Sequence, residues 1–145
     1  MSLLRTALGR RAPLILILMT LQAASSEDRA IEVVTSFNNA LNRRDLDAMM
    51  CLMTENCLFE NTYPSPDGTR FEGQAAIRAF WEDFFRGSSQ AQFDIEEIFG
   101  LENRCVMRWI YHWVDQAGQT GHIRGADVYT LANGLIAEKL SYVKG

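Results

Sequence analysis

The last third of the chain leaves little choice of secondary structure. Asn133-Gly134 separates two apolar-rich stretches, His122 to Leu131 and Leu135 to Val143. Asn-Gly favours the tight two-residue turn that suits the twist of a β-hairpin. Upstream, Arg104 to Val114 reads as a long strand. Its faces are Val106, Arg108, Ile110, His112 and Val114 on one side, and Met107, Trp109, Tyr111 and Trp113 on the other. Gln116 to Gly121 is a loop with two glycines. Phe93 and Ile95 alternate with polar residues, and the alternation slips at Glu96-Glu97, as a β-bulge would cause. Consecutive strands joined by short loops form an antiparallel sheet.

The first half is helical in pattern. Ser25-Glu27-Asp28 resembles a capping box, and Ile31, Val34, Phe37 and Leu41 make one apolar stripe behind it. Asp45 caps a short second helix whose buried face is Leu46, Met49, Met50 and Met53. Cys57 to Glu60 is a short strand, and Asn61 to Glu72, with Pro64, Pro66 and Asp67-Gly68, is a loop. A third helix runs from about Gln74 to Arg86, with Ile77, Phe80, Trp81, Phe84 and Phe85 on its stripe and Gly87 as the residue that ends it. The order is ααβα and then four strands, an α+β arrangement.

One acid interrupts the apolar pattern of the β half. Ile123, Gly125, Asp127, Tyr129 and Leu131 share a strand face. Asp127 therefore lies on a solvated surface or at the floor of a pocket. On the second reading, desolvation raises a carboxyl pKa and suits it to acid–base work near neutral pH. On the plainer reading it is a structural aspartate held by Tyr129, Arg124 or backbone groups.

The chain has 145 residues, 48% of them hydrophobic, which suits one domain with a real core. Residues 1–26 read as a secretory signal. Arg5, Arg10 and Arg11 make a positive start, Ala12 to Leu21 is nearly all apolar, and Ala23-Ala24-Ser25-Ser26 offers small residues for cleavage. The apolar run is short for a span of about 20 residues, so no stable membrane span is expected once the signal is removed. With that signal the protein is secreted or periplasmic, and without it cytoplasmic. Its loss lowers the net charge from −4 to −7, a field that repels phosphate backbones, so nucleic-acid partners are not expected. Cys51, Cys57 and Cys105 are an odd set, which excludes complete internal pairing. They read as buried free thiols, or as a Cys51–Cys57 bridge if a helix end and a strand meet. No CxxC or HExxH motif points to zinc.

Three stretches, Phe37 to Asp47, Glu72 to Phe80 and Arg124 to Tyr129 leading to Asn133-Gly134-Leu135-Ile136, resemble the superfamily named after nuclear transport factor two. That superfamily includes SnoaL-like polyketide cyclases and ketosteroid isomerases. The resemblance covers residues 30 to 143 and assigns a SnoaL-like domain to 27–145. It implies a cone in which a curved antiparallel sheet wraps three helices around an internal apolar cavity. It also implies a small apolar molecule in that cavity, a homodimer through the outer sheet face, and no cofactor or metal.

Asp127 matches the position of the buried acid in ketosteroid isomerases, which the resemblance makes the candidate catalytic residue. An isomerase of this kind keeps such an acid protonated by an apolar surrounding. The other isomerase groups are missing. The phenol donor falls at Phe37 and the general base at Asn61, and neither can do that work. Asp67 in the loop is a further acid that could reach inward. The epoxide-hydrolase branch of the fold has an arginine in the place of Arg108, but Ile110 and Ser141 stand where acids are needed. His112 is a second candidate for proton transfer, set against the commoner surface histidine. Phe37, Asn61, Phe80, Trp81, Trp109 and Tyr129 are the expected pocket lining, with Tyr111 and Trp113 as further aromatics. Three functions fit: an isomerase or cyclase moving a proton next to a carbonyl, a non-catalytic binder of a hydrophobic ligand, or a dimeric interaction domain. The first is strongest if Asp127 is buried, faces a cavity and has no salt-bridge partner.

Overall fold

A computed structural model describes residues 24–88 and 90–145. Three helices pack on one six-stranded sheet. The order is α1 (Ser26–Asn42), α2 (Leu46–Cys51), β1 (Met53–Glu60), β2 (Arg70–Glu72), α3 (Gln74–Gly87), β3 (Gln92–Leu101), β4 (Arg104–Val114), β5 (Thr120–Ala132) and β6 (Leu135–Val143). The strands lie in the order β2-β1-β6-β5-β4-β3.

The expected α+β fold is present, with one correction to the sheet. β3 to β6 form the antiparallel meander, but β1 pairs parallel with β6, so the curved sheet is mixed and unclosed. The helical segment between β1 and the meander makes this possible, since a parallel pair needs a long crossover. Short β2 was read as loop. Arg70, Phe71 and Glu72 pair with Glu60, Phe59 and Leu58 across the turn that the prolines make.

The caps follow their chemistry. Ser25 Oγ accepts from Asp28 N, and Asp28 returns a carboxylate to Ser25 N. Asp45 accepts from Ala48 N at the start of α2. The expected signal segment lies outside the described residues except for 24–26, and Ser25 and Ser26 belong to the start of α1. Met53 is buried, but as the first residue of β1 rather than on α2. Gly87 is the last residue of α3 with Ser88 as the cap, and so does not act as the terminating glycine. The bulge in β3 falls between Ile95 and Glu97, and Asn133 and Gly134 both take positive φ in the hairpin turn.

The core lies between the helices and the concave sheet face. Val34, Phe37, Met49, Ile77, Tyr129 and Ile136 have 1% exposure or less. Burying an aliphatic or phenylalanine side chain fully contributes roughly 1.5–3 kcal/mol. α1 is tied to β3 by polar contacts as well. Asn38 and Asn42 both donate to Phe93 O at 3.0 and 2.8 Å, and Phe93 N donates back to Asn42 Oδ1 at 2.9 Å. All three cysteines are free; Cys57 and Cys105 are buried as expected, whereas Cys51 is exposed. Among the described residues no helix is long and apolar enough to cross a membrane.

Candidate functional site

The concave face of β5 carries the site. Alternation points Gly125, Asp127 and Tyr129 toward the helices. β6 lies beside it with Tyr129 opposite Lys139, Asp127 opposite Ser141 and Gly125 opposite Val143. Asp127 and Lys139 are thus diagonal neighbours on one face, within reach of a long side chain. On the other side of β6, Phe59 of β1 is opposite Lys139.

This geometry makes a buried ion pair. Lys139 Nζ is 2.8 Å from Asp127 Oδ2, and the two side chains are 6% and 5% exposed. Lys139 Nζ also donates to Ser141 Oγ at 2.8 Å. The Tyr129 hydroxyl donates to Asp127 Oδ2 at 3.2 Å. Burial first, and then the negative charge of Asp127, push the Tyr129 pKa well above the usual phenol value, so its hydroxyl stays a neutral donor. Asp127 Oδ1 is buried and has no hydrogen-bond partner among the described residues. The ammonium stands over the Phe59 ring at 4.7 Å and near those of Tyr129 and Trp81 at 5.8 and 6.0 Å.

The pair corrects the central expectation from the sequence. Asp127 is sequestered, but it is not alone. The picture of an acid held protonated by oily surroundings alone does not describe this site.

Asp127, Lys139 and Ser141 face an apolar pocket of about 460 Å3. Its walls are aromatic. α3 supplies Phe80, Trp81 and Phe84, β4 supplies Trp109, Tyr111 and Trp113, and Phe59 and Phe93 complete them. Two glycines make room for the indoles. A Cβ on Gly125 would lie 2.4 Å from the Trp109 ring, and one on Gly121 would lie 2.3 Å from that of Trp113. Each tryptophan is directly opposite its glycine in the β4–β5 ladder. The Nε1 atoms of Trp81 and Trp109 are buried without a partner.

The expected site residues divide. Asn61, Phe80, Trp81, Trp109 and Asp127 line the pocket. Asn61 Oδ1 is occupied, accepting from Thr69 N at 2.7 Å and Tyr63 N at 3.1 Å. Tyr129 lies beneath the pocket as the donor to Asp127, fully buried. Phe37 is a core residue at 1% exposure, outside the lining. His112 is on the opposite sheet face, about half exposed and 3.3 Å from Asp94. Arg108 shares that outer face and pairs with Glu97 at 2.8 Å. Asp67 is exposed on the loop.

Lys139 was the residue missed. Ile136, Leu140 and Tyr142 suggest that the even positions of β6 face inward. In the structure Ile136 and Lys139 are both buried, three residues apart. The ladder shifts register there, with Leu131 opposite Ile136 but Thr130 opposite Glu138, so Ala137 is the extra residue that reverses the faces. Among the described residues no group of three or more His, Cys, Asp and Glu side chains converges as metal ligands would.

The SnoaL-like domain family matches residues 34–139, most of the described chain. The chain belongs to the SnoaL-like domain family. No curated protein matches this SnoaL-like chain in sequence. Solved structures do match. An NTF2-like protein of unknown function from Mesorhizobium loti is 30% identical, with a TM-score of 0.69, over 85% of this chain and 97% of its own. A Mycobacterium tuberculosis protein in complex with estradiol-17beta-hemisuccinate is 21% identical, with a TM-score of 0.68, over 79% of this chain and 92% of its own. TerC, co-crystallised with polyporic acid, is 15% identical, with a TM-score of 0.70, over 80% and 92% of the two chains. The last two likenesses establish shared fold.

Proposed function

We propose that this SnoaL-like domain takes a small, largely apolar ring compound into the pocket and seats an oxygen-bearing end of it against Asp127, Lys139 and Ser141. The observation that carries this reading is a buried ion pair facing an otherwise aromatic pocket of about 460 Å3. Ligand sites are typically apolar clefts with a few placed polar groups. A buried ion pair is weak evidence for stability, since apolar residues of the same volume often do as well or better. Its place at the pocket wall therefore favours a role toward a ligand. The ring compounds bound by two proteins of the same fold support the same chemistry.

A second reading, proton transfer next to a carbonyl, is favoured by the unpartnered Oδ1 of Asp127. An ionised carboxylate with a free oxygen is a general base. Lys139 would then stabilise negative charge growing on the carbonyl oxygen. The step asks for no cofactor.

Binding can be read without a label. The chain has three tryptophans, and Trp81, Trp109 and Trp113 all line the pocket. Titration with a steroid hemisuccinate should quench their emission to saturation, and Asp127→Asn should keep most of the affinity. A linear, unsaturable response would defeat the binding reading. Turnover of a ring ketone by wild type that persists in Asp127→Asn would defeat the proton-transfer reading alone.

A further inference from the structure

We propose that Lys139 is a nucleophile, forming a protonated imine with a ligand aldehyde or ketone in the pocket. The inference rests on the binding reading above and names the ligand as a carbonyl compound held covalently.

Lysine is a rare choice in this chain. Of 14 Lys and Arg residues only Lys139 and Lys144 are lysines. Arginine makes the exposed ion pairs, from Arg70, Arg78, Arg86, Arg108 and Arg124. Arginine is also the usual partner for a buried carboxylate, and it cannot lose its proton in a protein. At the pocket wall the chain places the one basic side chain type that can become a neutral amine.

The neighbours balance the step. The ammonium of Lys139 passes one proton over 2.8 Å to the carboxylate of Asp127, leaving a neutral amine and a neutral acid. The nitrogen lone pair attacks the carbonyl carbon, a C–N bond forms, and a proton moves from nitrogen to oxygen to give the carbinolamine. Ser141 Oγ, 2.8 Å from Nζ, is placed to hold that new hydroxyl. Asp127 returns its proton to the hydroxyl, the C–O bond breaks, and water leaves as the C=N bond forms. Ammonium plus carbonyl thus becomes protonated imine plus water, with no redox change. One positive and one negative charge remain beside each other before and after, so the buried site is never left with an unpaired ion. The Phe59 and Trp81 rings that face the ammonium face the iminium equally. An iminium draws electrons from the adjoining C–H bond, and Oδ1 of Asp127, buried without a partner, is a base on the same pocket wall.

The test uses the full chain with 2-naphthaldehyde and sodium cyanoborohydride, which reduces an imine to a stable amine. Peptide mapping by mass should find one naphthylmethyl group on Lys139 and at least tenfold less on the exposed Lys144. 2-Naphthylmethanol, which has the same ring system but no carbonyl, should suppress the Lys139 adduct and not that on Lys144. Wild type should show saturable tryptophan quenching by 2-naphthylmethanol, and Lys139→Arg should lose the adduct at that position while Lys144 is labelled as before. If that variant does not fold, the ratio of the two lysines in wild type decides. Saturable quenching with no preference for Lys139 overturns the imine and leaves the binding reading. No quenching and no Lys139 adduct overturn both.

Discussion

The two faces of one sheet handle charge in opposite ways. On the convex face Arg108 pairs with Glu97, Arg124 with Glu96 and His112 with Asp94, and most of these side chains are about half exposed. On the concave face Asp127 pairs with Lys139 with both side chains at least nine-tenths buried. β5 contributes to both faces, Arg124 outward and Asp127 inward, three residues apart. Water screens the outer pairs, so they contribute little and tolerate change. The inner pair has no such screening. Each charge there depends on the other, and both line the pocket. Charge alone therefore does not mark a site; charge without water does.

The contrast can be tested by breaking it, beginning with its largest effect. Lys139→Met leaves Asp127 buried and unpaired, and should cost about 3–5 kcal/mol in urea unfolding. Gly125→Ala should come next. Its Cβ would meet Tyr142 O at 2.3 Å and the Trp109 ring at 2.4 Å. Overpacking of this kind costs typically about 1–3 kcal/mol, and it should shift tryptophan emission as Trp109 is pushed into the pocket. A change of pH sharpens the same comparison. Burial pushes the Cys105 thiol up to about 11 and Tyr129 well above the usual phenol value. Both resist ionising in the folded state. Their contribution is intact below the ordinary thiol and phenol values, about 8.5 and 10. It is lost as pH rises beyond them, while the unfolded chain releases protons and the folded chain does not. Stability should thus fall in alkali, less steeply in Tyr129→Phe, as followed by unfolding at stepped pH. The outer face should give the smallest effect. Arg108→Ala should cost no more than about 1 kcal/mol, and His112→Ala should leave ligand titrations unchanged.

Much of the fold was legible because it rests on local rules. The Ser25 and Asp45 caps, the β3 bulge and the Asn133-Gly134 hairpin each follow from a few neighbouring residues. What depends on distant pairing was not. β1 and β6 are neighbours in the sheet but lie far apart along the chain, and nothing local announces that the two run parallel. The same holds within the site. Strand alternation put Asp127 on one face with Tyr129 and Leu131 but left that face as surface or pocket floor, and the aromatic content of α3 and β4 offered the pocket walls without deciding them. Lys139 was hidden by one extra residue at Ala137, whose effect appears only in the register against β5. Phe37 was misplaced because similarity of position along a helix does not say whether a buried side chain packs in the core or borders the cavity.

The buried pair serves either a ligand or the fold. Replacing both charges at once, Asp127→Leu with Lys139→Met, separates the two when unfolding and ligand titration are measured on the same sample. Stability close to or above that of wild type, with ring-ligand affinity reduced at least tenfold, is the predicted result. A double variant that is several kcal/mol less stable yet binds as tightly as wild type would show that the pair is a clamp and contradict the account.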